Sequence, residues 1–290
     1  MSNSRRNFIK LSGLSALALT APVKHLSALM RDERTDKKMH EFGIQLWTVK
    51  EDMAADAKDT LKQLGLFGYK QIESFEGKQG MFWGMKPKEF KAYLDGVGTS
   101  IISSHCDTKT DFERKAADAA AIGMKYLICP YKGPQKSIDD FKKFADEFNK
   151  NGEVCRKNGI RFAYHNHDYS WKILDGKIPQ EVMMDNTDKD LVDFEMDIYW
   201  VVSAGMDPLV YLKKYGNRFR LCHVKDYAET ATGGESCHLD KGTIDFKTIL
   251  STAAANGMKY YIVEQEAFTN TNPLESARID AAYLKAFTFK

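Results

Sequence analysis

The sequence predicts an α/β fold, a single-domain (β/α)8 barrel, and three observations predict it. From Phe42 onward, short apolar runs of strand length alternate with longer runs whose apolar residues recur at helical spacing. The paired runs return at intervals of roughly 25 to 40 residues, the rhythm of strand-then-helix units. The apolar runs also end in imidazole, carboxylate, amide or phenol groups all along the chain. A barrel delivers such endings to one mouth, at the carboxyl ends of its strands. The rival, a doubly wound open sheet, gathers its site at one switch point behind a glycine-rich first turn, and no G-x-G-x-x-G follows the first strand here.

Taken in order, residues 42–47 read as a short buried first strand and 52–64 as the first helix. Residues 66–73 supply the second strand, ending in Glu73. A loop rich in Gly, Phe and Trp follows, then a helix over 87–95. Pro87 suits its first turn, where the missing N–H has no partner to lose. The third strand, 99–105, ends in His105; a helix near 112–122 leads to the fourth strand at 123–130, and a long helix over 138–158 leads to the fifth. That strand starts at Arg161 and finishes in the polar burst from His165 to Tyr169. Strand six, 191–197, ends in Asp197, and a short helix over 208–215 separates it from strand seven, 219–226, which carries His223, Lys225 and Asp226. A helix over 246–256 precedes strand eight, 258–266, with Glu264 and Glu266, and a helix over 273–287 closes the chain. Gly123, Gly159 and Gly257 each stand just before a strand, where glycine ends the foregoing helix in the left-handed conformation.

The 290 residues, 43% hydrophobic, suit one large core, since barrels of this kind run to about 250 residues as one domain. A net charge of +2 and the lack of a basic stripe interleaved with aromatics argue against a nucleic-acid partner. Five cysteines, an odd number with no C-x-x-C pair, give neither a disulfide framework nor a zinc ribbon. Cys106, Cys129 and Cys222 lie in or beside apolar runs, the place of a small buried hydrophobe. At the amino terminus Arg5 and Arg6 precede Phe8, Ile9 and an apolar run over 11–21, too short to span a bilayer. Residues 1–30 therefore read as a twin-arginine-type export signal, 31–40 as a connector and 41–290 as the catalytic barrel. The mature protein is expected in the periplasm without a stable membrane span. Small-residue endings at Ala21 and Ala28 leave the cleavage site open, with an uncleaved anchor as the other fate, and self-association into a homo-oligomer is left open as well.

Sorted by chemistry, the strand endings supply Glu73, His105, His165, His167, Asp197, His223, Lys225, Asp226, Glu264 and Glu266. Imidazole and carboxylate without thiolate suit one divalent ion of borderline softness, zinc, manganese, cobalt or iron, with a free coordination position. Such an ion polarises a carbonyl or hydroxyl oxygen and eases proton removal from the carbon beside it. Trp47, Phe82, Trp83, Trp171 and Trp200 fall near strand ends or in the following loops, where they either stack on a sugar ring or pack in the core. Each polar residue also has a plainer role. A lone strand-end histidine is more often a hydrogen-bonded structural group, Asp226 and Glu266 suit partners that orient ligands, Glu73 suits a solvated charge, and His238 follows a glycine-rich loop.

Asp197-Ile-Tyr-Trp200 ending strand six, His223-Val-Lys-Asp226 ending strand seven and Glu264-Gln-Glu266 ending strand eight together resemble the xylose isomerase-like TIM-barrel family, over about residue 42 to the carboxyl terminus. Its members include sugar and sugar-phosphate isomerases, epimerases and inosose dehydratases. The resemblance implies a metal on the endings of strands five to eight, here His165, Asp197, His223 and Glu264. His165 stands where many members have glutamate. In the family's epimerases two metal-bound glutamates act as acid and base on opposite faces of the substrate; here only Glu264 keeps that identity. The resemblance thus implies Glu264 as principal base, Lys225 assisting, and His167, His105 or Glu73 as the second acid or base. Trp47, His105, Trp200 and Glu266 would bind substrate. The expected function is a metal-dependent isomerase or epimerase of a non-phosphorylated keto-sugar. Its alternatives are a lyase or dehydratase of keto-glycosides or keto-polyols working through the same carbanion, a non-catalytic sugar-binding barrel, and a metal-dependent endonuclease of the apurinic-site type, disfavoured by the charge.

Overall fold

The computed structural model describes residues 37–231 and 233–290, so the export-signal reading of residues 1–30 and most of the connector lie outside it. Eight parallel strands close into a barrel in the order β1 (Gly43–Gln45), β2 (Gln71–Phe75), β3 (Ser100–His105), β4 (Tyr126–Cys129), β5 (Arg161–His165), β6 (Val192–Asp197), β7 (Phe219–Val224) and β10 (Tyr260–Val263), which pairs back onto β1. The helices are α1 (Lys50–Phe67), α2 (Pro87–Gly96), α3 (Phe112–Ala121), α4 (Ile138–Lys157), α5 (Pro179–Asp185), α6 (Ile198–Ser203), α7 (Pro208–Tyr215), α8 (Phe246–Ala255) and α9 (Pro273–Ala286). An antiparallel hairpin, β8 (Asp226–Thr230) and β9 (Gly233–Cys237), stands outside the barrel.

Side-chain period decides what each face of the sheet meets. In α4, Ile138, Phe141, Ala145, Phe148, Gly152 and Cys155 recur at three- and four-residue steps and are the buried face. Such faces pack on the outward side chains of the strands in one continuous apolar layer. Inside the barrel, Ile102, Tyr126, Ile128, Ala163, Leu221 and Ile262 form a separate apolar cluster. Two residues further along β5, β7 and β10 the inward positions turn polar, as His165, His223 and Glu264. Gly123, Gly159 and Gly257 take φ of +81°, +76° and +96°, the left-handed helix ends expected of them.

Four departures from the sequence reading bear on the site. The α1 helix runs on through Leu66 and Phe67 to Gly68, so β2 starts later, continues to Phe75 and leaves Glu73 in mid-strand. The chain leaves β1 at once in a 3-10 turn, because the Gln45 side chain accepts from the Trp47 N–H. Asp197 accepts from the Trp200 N–H at 3.1 Å and so caps α6, a helix whose six residues are too few to announce a period. Lastly, strand seven stops before Lys225. The Asp226 carboxylate accepts from the backbone N–H groups of Tyr227, Asp240, Gly242 and Ile244, tying the hairpin to the loop behind it. Asp226 is thus a loop fastener and not a mouth residue.

Candidate active site

Register builds the mouth. Asp197 pairs with His223 across β6 and β7, His165 with Glu195 across β5 and β6, and Gln45 with Glu73 across β1 and β2. These side chains are buried, and burying unpaired charge costs several kcal/mol per ion, so their pairing is informative.

His165, Asp197, His223 and Glu264 each bring one ligand-type atom within 4.8 Å of the others. His165 Nδ1 lies 3.3 Å from the Pro130 carbonyl, which only accepts, so that nitrogen carries the hydrogen and Nε2 offers its lone pair. His223 Nε2 donates to Glu73 Oε1 at 2.7 Å, which turns Nδ1 to the same point. His165 Nε2 and His223 Nδ1 meet at 3.2 Å, with Glu264 Oε2 3.2 Å from His223 Nδ1. Asp197 Oδ2 faces His165 Nε2 at 3.5 Å, His223 Nδ1 at 3.6 Å and the Lys225 ammonium at 3.6 Å, yet is buried without a hydrogen-bond partner. Four acceptors converge on one point, an arrangement that repels itself unless a cation or an extra proton sits among them. Two imidazole nitrogens and two carboxylate oxygens make a donor set for a divalent ion of borderline softness.

Electrostatics agree. Burial opposes ionisation of Asp197, but Lys225 and the two imidazoles outweigh it and hold its pKa well below the carboxylate range. Burial likewise opposes Glu264, and Lys225 with His223 keep it low. Around His223, burial is overcome by Glu195 and Glu264, which raise its pKa, so a proton occupies the ring until a cation displaces it.

Beneath this tetrad a second group surrounds His223 Nε2. Glu73 accepts from Gln45 at 2.8 Å and Ser103 at 2.6 Å besides His223. Despite burial, the nearby His105 and His223 lower its pKa to about 2. Glu195 Oε2 meets His105 Nε2 at 2.8 Å, and burial with the charge of Glu73 pushes the Glu195 pKa well up. Glu73 therefore sits inside the barrel beneath the mouth, outside the cleft, neither as a solvated charge nor within reach of substrate. Lys225 is also buried, between Glu264 at 3.1 Å and Glu266, under the rings of Tyr199 and Trp200. The carboxylates of Glu264, Asp197 and Glu266 overcome burial and raise its pKa. It stands behind the mouth as a counter-charge.

A cleft of about 400 Å³ opens above the tetrad, lined among others by Trp47, Phe75, Tyr131, His167, Trp200 and Glu266. His105, His165 and Glu264 reach it from below. His167 keeps an unpartnered Nδ1, and burial followed by the neighbouring His165 drops its pKa to about 3. Not every predicted residue arrives. Trp171 is fully buried against Tyr211, Trp83 backs Phe75 from below with its N–H on Ser74, Phe82 packs on Phe90, and His238 bonds Ser276 instead of entering the cleft. The sequence reading passed over Glu195, Gln45, Ser103, Phe75 and Tyr131. Glu195 was within reach of the two-residue period that carries Asp193, Glu195 and Asp197 along one face.

Comparison with known proteins follows the same lines. The family model for the xylose isomerase-like TIM barrel matches residues 61–287. Inosose dehydratase of Lacticaseibacillus casei is 25% identical over 272 residues, covering 79% of this chain and 89% of that protein. A solved sugar phosphate isomerase/epimerase from Parabacteroides distasonis matches with a TM-score of 0.74 at 28% identity, over 86% of this chain and 95% of that one. The IOLI protein, solved with a bound zinc atom, shares the fold at a TM-score of 0.67 and 13% identity, over 85% of this chain and 98% of that one.

Proposed function

Because the chain belongs to the xylose isomerase-like TIM-barrel family and is a sugar-processing enzyme, we propose that it removes the proton beside the carbonyl of a non-phosphorylated keto-sugar or keto-polyol and then eliminates water. The convergence of four acceptors on one point, with both imidazole tautomers fixed from behind, is the observation that carries this reading. In it, His165, Asp197, His223 and Glu264 hold a divalent ion. Such an ion supplies positive charge beside the carbonyl oxygen and lowers the cost of the negative charge that proton removal creates there.

The chain's own residues do the rest. Glu264 stays ionised beside Lys225 and is the tetrad carboxylate that lines the cleft. A carboxylate held at low pKa is a weak base, so it can take only a C–H proton already acidified by the adjacent carbonyl. The C–H electron pair moves onto the carbonyl oxygen as the proton passes to Glu264. When the carbonyl re-forms, a C=C bond forms, the C–O bond to the neighbouring hydroxyl breaks, and Glu264 returns its proton to that oxygen. Ketone becomes enone plus water, with one carboxylate serving both steps on one face. That economy suits a site where histidine replaces the second glutamate, and the inosose dehydratase relative supports it.

The cleft also argues against phosphate. Glu76, Asp107, Glu264 and Glu266 line it, and no lysine or arginine does among the described residues. The export-signal reading of residues 1–30, with a periplasmic location, is part of the same proposal, since phosphorylated metabolites belong mainly to the cytoplasm. A second reading, isomerisation or epimerisation, starts from the same carbanion, and the Parabacteroides distasonis structure supports it. It needs a group that reprotonates another carbon or face, and His167, on the cleft wall with its pKa lowered to about 3, is neutral and has no acidic proton to give, which weighs against this reading. Incubation with an inosose in heavy water separates the two: loss of water with an enone absorbance supports dehydration, deuterium in a rearranged ketone supports isomerisation, and the formation of no product at all sinks the site assignment.

A further inference from the structure

The cleft does not end at its aromatic wall. A second hollow of about 430 Å³ adjoins it, and the two share Cys106, Asp107, Pro130 and Tyr131. Tyr131, 56% exposed, lines both, and its perpendicular contacts with His167 at 5.0 Å and Tyr169 at 5.3 Å fix the plane of its ring. Beyond it, Thr108 and Lys109 come from the loop after β3, Lys132 from the loop after β4 and Phe144 from α4. We propose that the substrate is a glycoside, with its keto ring over the tetrad and a second sugar ring in this outer hollow. The inference rests on the reading of the tetrad given above.

Chemistry and charge favour a sugar ring there. Phe144 offers an apolar flank, and the exposed Lys109 ammonium can bond ring hydroxyls. The cations are balanced: Lys132 pairs with Glu147 and lies 4.8 Å over the Phe144 ring, while Asp107 lines the hollow beside Lys109. A phosphate would find no net positive charge. An uncharged ring meets the exposed Tyr131 ring and the Phe144 flank, with the Lys109 ammonium as donor and the Asp107 carboxylate as acceptor at its edge, and the first cleft alone need hold only one ring.

Isothermal titration of the zinc-loaded protein tests this with D-fructose, its glycosides lactulose, turanose and isomaltulose, and D-fructose 6-phosphate. At least one disaccharide should bind about tenfold more tightly than D-fructose, the size of one stacked ring, and Phe144→Ala should cut that gain to about twofold with D-fructose unchanged. Lys109→Ala, at an exposed position where folding is not at risk, should reduce the gain in the same direction. Equal binding of D-fructose and its three glycosides overturns the second ring, and so does a gain shown by the phosphate instead. Deuterium uptake into an inosose, assayed on the same preparation, reports separately on the tetrad. Uptake with no disaccharide gain overturns this inference alone; no uptake overturns the reading on which it rests.

Discussion

Two groups of the same residue types meet on opposite edges of the His223 ring. Around Nδ1, His165, Asp197 and Glu264 present lone pairs to one another, and Asp197 Oδ2 has no partner. Around Nε2, acceptors find donors: Glu73 takes hydrogens from His223, Gln45 and Ser103, and Glu195 faces His105. Both groups are buried and both have the composition of a metal site. Donor and acceptor balance tells them apart. The upper group opens to the cleft with its counter-charge, Lys225, standing behind it, whereas the lower one draws neutral donors from Gln45 and Ser103, leaves Glu195 Oε1 without a partner, and aims the upper.

The sharpest way to break this comparison is His223→Ala, which removes the residue common to both. The purified wild-type protein should carry about one divalent ion per chain, the variant less than about a tenth of that, with turnover lost. Metal analysis checks it, and an ion retained at full stoichiometry would mean that the tetrad is not the site. Next in size is Glu264→Gln. The amide keeps the shape and an oxygen but takes no proton, so deuterium uptake into substrate should fall by about 10³-fold, within the range of lost acid–base groups. Ligand binding by titration should change far less.

Glu73→Gln sharpens the contrast. The amide can accept from His223 through oxygen or press an NH2 on it, so the tautomer is no longer enforced. Metal affinity should drop by about 10- to 100-fold, the usual cost of losing a partner that orients a ligand. Competition against a chelator measures it. Circular dichroism should be unchanged, and an unaltered affinity would make Glu73 mere filling of the barrel.

The sequence made the barrel legible because the eight units repeat, and because Asp197, His223 and Glu264 end their strands. It placed Glu73 at a strand end because Leu66 and Phe67 look as apolar as strand residues; helix α1 claims them, up to the left-handed Gly68. The hairpin after Lys225 stayed hidden because a break between two strands leaves no mark in composition. Glu195 was missed for a different reason. Attention to strand endings overlooks inward residues one step down, and only the closure of the barrel brings Glu195, on β6, against His105, on β3.

Glu195→Gln is the smallest expected effect and the most discriminating. Burial and the charge of Glu73 raise the Glu195 pKa well above its ordinary 4.5, so the native carboxyl keeps its proton to higher pH than the unfolded chain does. A raised folded pKa contributes stability that is present below 4.5 and is lost as pH rises toward the folded value. Glutamine imitates the protonated carboxyl and does not titrate. Metal-free wild type and variant should therefore unfold at similar urea concentrations at about pH 4. At about pH 8 the variant should be the more stable, its urea midpoint lying above that of wild type. Its metal affinity should stay within about threefold of wild type, because the acceptor toward His105 is kept. If affinity instead falls as far as in Glu73→Gln, Glu195 acts as an ionised partner of the ion. The lower group would then be a second cation site sharing His223 with the first, and the contrast between acceptors that await a charge and acceptors already paired would fail at this residue.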